Sequence, residues 1–297
     1  MDATREGRAL TRGPNPVLAL FLQMPLSIWV AEEIIQSRQN PRIQGVARLR
    51  DRAERESRGL FLIEGFRELS RALERKIKIE EVYFCPALFR GAEAAELVTR
   101  CRNARIICCE VGQSAFEKMS GREGPDGLIG VAKIWDCSLS QLSLPPEPLL
   151  LVVESIEKPG NLGALLRAAD SAGCHALLVC EPTTDLFNPN VVRASQGAVF
   201  SMPCAVCTSA EAQSWMKTNQ IRSFATTPAA TKVFWDSDYR GRVAILLGSE
   251  KAGLSDFWLK QAEEKISIPQ AGLSDSLNVS NAAAIVLFEA VRQRRSK

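Results

Sequence analysis

Three runs in the second half of the chain, Leu149–Val153, Ala176–Cys180 and Val243–Leu247, are apolar at every position. A strand with one wet face alternates polar and apolar residues. A strand apolar on both faces is buried on both, as in a parallel sheet covered by helices. Helical patterns, Ala164–Ala172 among them, fall between the runs, and Asn278–Arg295 closes the chain as a helix. Shorter strands are expected at Ser223–Thr226 and Lys265–Ile268, and a helical stretch at Val191–Ser195. Strand, loop and helix alternate throughout, which predicts an α/β domain over 149–297 with a mainly parallel sheet and helices on both faces.

The first half has a different texture. Apolar strands are expected at Leu60–Ile63, Ile79–Phe84, Ala104–Cys109 and Leu128–Ile134, with helices at Arg67–Lys76, Ala92–Cys101 and Val111–Met119. This is a second, smaller α/β unit. Ser138–Pro148, rich in Ser and Pro, is the linker expected between the two. At roughly 150 residues per domain, 297 residues also suggest two domains. The proposed division is 1–31 as an N-terminal extension, 32–137, the linker 138–148, and 149–297.

Charge and cysteine usage narrow the function class. The formal net charge is +3, which permits a nucleic-acid partner without demanding one. Seven arginines lie within residues 38–58, where Val46, Leu49, Ala53 and Leu60 recur at helical spacing. That reads as one basic amphipathic helix, either a solvated face or a phosphate-contacting surface. Nine cysteines, mostly inside apolar runs, read as reduced, buried thiols of a cytoplasmic protein. Cys204-x-x-Cys207 could be half a zinc site or a redox pair, but no second such pair accompanies it, and His175 is the sole histidine. Residues Pro16–Ala31 form the most membrane-like stretch; Gln23 and Pro25 interrupt it and it is too short to span a bilayer. Arg5, Arg8 and Arg12 precede it, as before a signal peptide, yet no small-residue cleavage site follows. The extension is expected to be poorly ordered or packed on the surface.

In open α/β sheets, ligands bind outside the carboxyl ends of the strands. Three loops occupy that position. Glu154–Arg167 carries Gly160 and Gly163 for tight turns, Asn161 as a helix cap, and Arg167 one turn into an otherwise apolar helix, a setting suited to an anion. Leu247–Gly253 places Glu250 between two glycines just after a buried strand. Ile268–Ser280 is a long polar loop that bunches Ser276, Asn278 and Ser280 ahead of an apolar helix, and a loop of that length needs a reason.

The order Asn161-x-Gly-x-x-x-Arg167, then Gly248-x-Glu-x-x-Gly253, then Ile268-Pro-x-x-Gly-x-x-x-Ser276-Leu-Asn-Val-Ser280-x-Ala resembles the three signature motifs of the SpoU (TrmH-type) RNA methyltransferases of the SPOUT superfamily. In the first half, Ser37-x-Gln-Asn-Pro-Arg-Ile, Phe61-Leu-Ile-Glu-Gly and Gly124-Pro-Asp-Gly127-x-x-Gly-Val are similar to that family's accessory domain. The resemblance implies a trefoil-knotted, parallel-sheet C-terminal domain behind an N-terminal α/β sandwich that binds RNA. It further implies methyl transfer from S-adenosylmethionine to a ribose 2′-hydroxyl of RNA by a homodimer, with rRNA (23S foremost) favoured over tRNA, and no membrane partner.

By position in the motifs, Gly248, Ile268 and Leu277 would line the cofactor, with Thr226 as a further candidate. Arg167, Asn161, Glu250, Ser276 and Asn278 would make up the catalytic set. Gln270 stands where many relatives carry Met. The implied chemistry is displacement at a sulfonium. It requires no metal, but it does require in-line positioning and removal of a weakly acidic proton. A guanidinium, with a pKa above about 12, is a poor base. Arg167 would act either as base with phosphate assistance or as a clamp for phosphate and developing alkoxide charge. The rival reading from another class is a non-catalytic RNA-binding or ribosome-assembly factor on the same fold.

Overall fold

The computed structural model of the chain describes residues 34–272 and 277–295. The expected N-terminal extension and Ser276 therefore lie outside the described residues.

The basic stretch at residues 38–58 is two helices instead of one, α1 (Pro41–Arg48) and α2 (Arg52–Arg58). Asn40 caps α1 through its side chain, accepting from the Arg42 amide at 2.9 Å. The break between them lets Leu49 drop into the core and turns Arg55 inward. The Arg55 guanidinium then donates to the Leu49 and Arg50 carbonyls at 2.9 and 2.6 Å, which the end of α1 leaves without helical partners.

The chain continues through β1 (Leu60–Glu64), α3 (Phe66–Glu74), β2 (Ile79–Phe84), α4 (Ala92–Asn103), β3 (Ile107–Glu110), α5 (Gln113–Met119) and β4 (Leu128–Lys133). These strands form a four-stranded sheet ordered β1-β4-β2-β3. β4 runs antiparallel to both of its neighbours, and β3 is parallel to β2. β3 begins later than the sequence pattern suggests, because Ala104 and Arg105 complete the C-terminal turn of α4. The Ile106 amide bonds back to Cys101 at 3.0 Å, and Arg105 adopts φ +61°.

The second half runs β5 (Leu149–Glu154), α6 (Pro159–Ala172), β6 (Ala176–Cys180), α7 (Pro189–Ala194), β7 (Cys204–Cys207), α8 (Ser209–Thr218), β8 (Arg222–Thr226), β9 (Val243–Leu247), α9 (Asp256–Gln261), β10 (Glu264–Ile266) and α10 (Val279–Arg295). Its six-stranded sheet has the order β10-β8-β9-β5-β6-β7, with every pairing parallel. The all-apolar strands β5 and β9 sit at its centre, as continuous two-sided burial requires. β7, α8 and α9 are not apparent in the apolar pattern, although Thr208 and Glu211 form a capping box at the start of α8.

The described residues cluster as one compact unit. Ser138–Pro148 is tied to the second sheet: Leu139, Leu142 and Leu144 pack against its core, and the Val206 amide donates to the Cys137 carbonyl at 2.8 Å. Between the sheets, Phe61, Trp135, Phe187 and Phe200 make an aromatic cluster; Trp135 and Phe187 meet edge-on at 4.6 Å between centroids. Arg55, nearly fully buried, pairs with Asp185 at 2.6 Å beside it.

Candidate active site

α6 begins earlier than its apolar pattern suggests. Lys158 is the N-cap and Pro159 takes the first helical position, where its missing amide costs nothing. Asn161 therefore sits inside the first turn and does not cap the helix, which frees its side chain for other partners. Gly163 is no turn residue either. A Cβ there would lie 2.5 Å from that of Ala194, so this glycine allows α6 and α7 to touch.

The loop after β9 closes on itself. Ser249 and Gly253 exchange backbone hydrogen bonds at 3.1 and 3.0 Å. A Cβ on Gly248 would lie 1.9 Å from the Gly253 carbonyl carbon, so only glycine fits there, and Gly253 itself adopts φ +67°. This closure presents Glu250 toward α6 and α10.

Glu250 is where the three loops meet. Its Oε1 accepts from Asn161 Nδ2 at 2.8 Å and from Asn278 Nδ2 at 2.9 Å, and its Oε2 from Lys158 Nζ at 2.6 Å. Asn278 also donates to Asn161 Oδ1 at 3.2 Å, and its own Oδ1 caps α10 by accepting from the Ser280 amide at 3.0 Å. Alongside, Lys251 pairs with Glu157 at 3.5 Å. The dipeptides 157–158 and 250–251 are thus joined by two crossed ion pairs. The Lys158 ammonium, then the Asn161 amide, hold the Glu250 carboxyl below its ordinary range, and the carboxylate in turn raises Lys158.

The same loop also lines a crevice of ≈ 420 Å³, within the size range of small-molecule sites. Thr226, Gly248, Ile268 and Leu277 all line it, together with Gln270 and the rest of the loop 248–254. The Thr226 hydroxyl is buried there without a hydrogen-bond partner among the described residues. An orphaned hydroxyl in a largely apolar wall fits a ligand that brings its own polar group.

Of the sequence-derived set, Asn161, Glu250 and Asn278 come together in one network, and the four crevice residues come together in one wall. Arg167 joins neither. It lies exposed further along α6, with no hydrogen-bond or ion-pair partner among the described residues. Two groups escape the sequence reading. Lys158 lies in the first loop, three positions ahead of Asn161, where the first motif begins. Glu154 ends β5 and is buried; it accepts from Ser209 Oγ at 2.9 Å and from the Ser255 amide and hydroxyl at 2.7 and 2.8 Å. It thereby ties the segment after Gly253 to the central strand. A charged residue closing an all-apolar strand was the available signal.

The chain is similar to known proteins over most of its length. Residues 148–288 match the model of the SpoU rRNA Methylase family, and residues 40–130 that of the MRM3-like substrate binding domain. The chain is 31% identical over 268 residues to the 23S rRNA (uridine(2479)-2′-O)-methyltransferase of Streptomyces viridochromogenes, spanning 85% of this chain and 90% of that one. It is 33% identical over 244 residues to the 23S rRNA (guanosine-2′-O-)-methyltransferase RlmB of a Burkholderia species, spanning 79% and 97%. The crystal structure of the SpoU methyltransferase AviRb from Streptomyces viridochromogenes in complex with AdoMet superposes with a TM-score of 0.80 at 29% identity, over 87% of this chain and 99% of that one.

Proposed function

This chain belongs to the SpoU rRNA methylase family, and from that premise we propose that it transfers a methyl group from S-adenosylmethionine to a ribose 2′-hydroxyl of ribosomal RNA, 23S rRNA foremost. The observation that carries this reading is the meeting of three separate loops on Glu250, beside a crevice walled by Thr226, Gly248, Ile268 and Leu277.

The donor supplies a methyl group already activated on a sulfonium. The protein's task is alignment, exclusion of water and loss of the hydroxyl proton. Thr226 would offer the cofactor a hydrogen bond, and the constricted backbone at Gly248 would shape the wall around it. Glu250 is a poor candidate for the base: three donors already occupy its two oxygens, and its carboxyl is held below the ordinary range. Its part is to fix the three loops relative to one another. Arg167, exposed and unengaged, is available to RNA; it holds substrate phosphate and stabilises the negative charge developing on the 2′-oxygen. Ser276 completes the set by its place in the third motif.

The protein acts as a homodimer through the C-terminal domain. α10 buries Val279, Ala283, Val286, Leu287 and Ala290, and exposes Ile285 and Phe288 on one stripe, with Phe288 50% accessible. A second copy covering that stripe accounts for its composition. The trefoil knot belongs to the same reading. It is supported by the path of the last third of the chain, which leaves the centre of the sheet at β9, reaches the edge as β10 and returns to pack α10 on α6. The domain division given above, with RNA held by the N-terminal unit, is likewise our reading. Its place of action is the cytoplasm, in keeping with nine free cysteines and with no helix among the described residues long and apolar enough to cross a membrane.

Tritium transfer from labelled S-adenosylmethionine to purified 23S rRNA, against tRNA as the other acceptor, tests the proposal. RNA binding without transfer to either would favour the non-catalytic assembly factor. Mapping 2′-O-methylation in a strain lacking the protein would identify the nucleotide.

A further inference from the structure

The seven arginines of residues 38–58 separate into two groups. Arg42 pairs with Glu81, Arg50 with Glu64, Arg52 with Glu56 and Arg55 with Asp185, while Arg58 donates to the Gly45 carbonyl. These five are engaged within the fold. Arg38 and Arg48 are exposed and have no hydrogen-bond or ion-pair partner among the described residues. Lys118, from the end of α5, is in the same condition. These three cations line one cleft of ≈ 510 Å³ between α1 and α5. Gln39, Gln44 and Asp51 complete its polar wall, the two amides bonded to each other at 2.8 Å.

We propose that this cleft docks the sugar-phosphate backbone of the RNA substrate, as a second contact separate from the site of methyl transfer. The proposal rests on the reading of the chain as an RNA methyltransferase. Three cations with no internal partner keep their full attraction for an external polyanion, and arginine forks match phosphate oxygens in pairs. Asp51 would repel a bare phosphate. Its side chain makes no capping bond to α2, so it is free to accept a hydrogen bond. A ribose 2′-hydroxyl is the donor that a nucleic-acid backbone brings to such an acceptor, and it is present in RNA and absent from DNA. The cleft therefore selects RNA: its cations supply the affinity and Asp51 the discrimination.

The test measures equilibrium binding of the full chain to an rRNA fragment and to DNA of the same sequence, over a range of KCl concentrations. Replacing Arg38, Arg48 and Lys118 together by Gln should weaken RNA binding by at least about tenfold and lower the slope of log K against log salt by about 2–3. In the transfer assay the loss should fall on KM for RNA, with kcat at saturating RNA and affinity for S-adenosylmethionine unchanged. A charge-matched control, Arg75, Lys78 and Arg105 to Gln, all exposed and without side-chain partners among the described residues, should keep most of the affinity. Asp51→Ala, which removes the acceptor, should narrow the preference for RNA over DNA, and an unchanged preference would overturn the role given to Asp51. Equal losses in the two triple variants, or none in the first, overturn the proposal. Wild-type protein that binds RNA through the cleft but transfers no methyl group would refute the catalytic reading and leave the docking site supported. Full transfer with unchanged RNA affinity in the first variant would do the reverse.

Discussion

The first strand of each sheet ends in a buried glutamate, Glu64 in the four-stranded sheet and Glu154 in the six-stranded one. Each holds a downstream loop. Glu64 accepts from Arg50 at 2.9 Å, from the Ser120 hydroxyl, and from the Gly121 amide at 3.3 Å. Among the described residues Glu154 accepts from the neutral groups of Ser209 and Ser255. The same device has different consequences because the sheets run differently. In the six-stranded sheet all strands are parallel, so the loops after β5, β9 and β10 leave the same edge and can meet. In the four-stranded sheet β4 runs against its neighbours, and the loop that Glu64 holds leads into a strand start. The parallel sheet gathers polar side chains into one place; the mixed sheet spends its internal charges on its own fold and leaves other cations facing solvent.

The comparison predicts that changing charges paired inside the fold costs stability, whereas changing charges left unpaired at the surface costs RNA binding or chemistry. The largest expected loss is at the join. Asp185→Asn strips the counter-charge from Arg55, and breaking a buried pair typically costs about 3–5 kcal/mol. Arg55 keeps two carbonyl acceptors, which points to the lower end, about 3 kcal/mol. Denaturant titration should find this, with transfer by the folded fraction near normal; a loss under 1 kcal/mol would mean the pair does not hold the sheets together. Arg167→Ala should leave stability and cofactor affinity within a few-fold while lowering transfer by about 10²–10³. Full retained activity would remove Arg167 from the mechanism.

The two glutamates sharpen the contrast further. Glu64→Gln and Glu154→Gln each replace a buried acceptor with an amide that satisfies only part of its partners, at about 1–3 kcal/mol. Only Glu154→Gln should also weaken cofactor binding, because Ser255 follows the loop that walls the crevice. Isothermal titration on the folded variants separates the two; equal cofactor affinities would mean that the loop after β9 holds its shape without Glu154.

How much of this was legible in the sequence depends on how local each signal is. β5, β6 and β9 were readable because burial on both faces leaves an unbroken apolar run. The edge strand β7 was not: four residues beginning and ending in Cys, half covered, carry too little pattern. The site residues were readable by their order in three motifs, and Asn161, Glu250 and Asn278 do meet. The partnerships were not readable. Lys158 to Glu250 spans 92 positions and Arg55 to Asp185 spans 130, and nothing local in a chain encodes which distant residue will face it. For the same reason the arginines of residues 38–58 looked equivalent in sequence, although the fold consumes most of them and leaves Arg38 and Arg48 outside.

The smallest effect expected concerns Lys158 and Glu250, both open enough to solvent that screening weakens the pair. Glu250 is held below its ordinary value of 4.5, first by Lys158 and then by Asn161. A carboxylate with a depressed folded-state pKa stabilises the fold above its unfolded value and loses that contribution only as pH falls through the lower, folded value. The loop junction should therefore stay intact as pH drops through 4.5 and fail below it. Lys158 is shifted the opposite way, so its share is complete below its ordinary value of 10.5 and fades only above it. Lys158→Met should raise the Glu250 pKa toward 4.5, with Asn161 and Asn278 still holding part of the shift. Carboxyl ¹³C NMR of Glu250 reads this directly. A titration that Lys158→Met leaves unmoved would show that the ammonium is a bystander and that the two asparagines join the loops; a wild-type titration at 4.5 would show that none of the three donors holds the carboxylate.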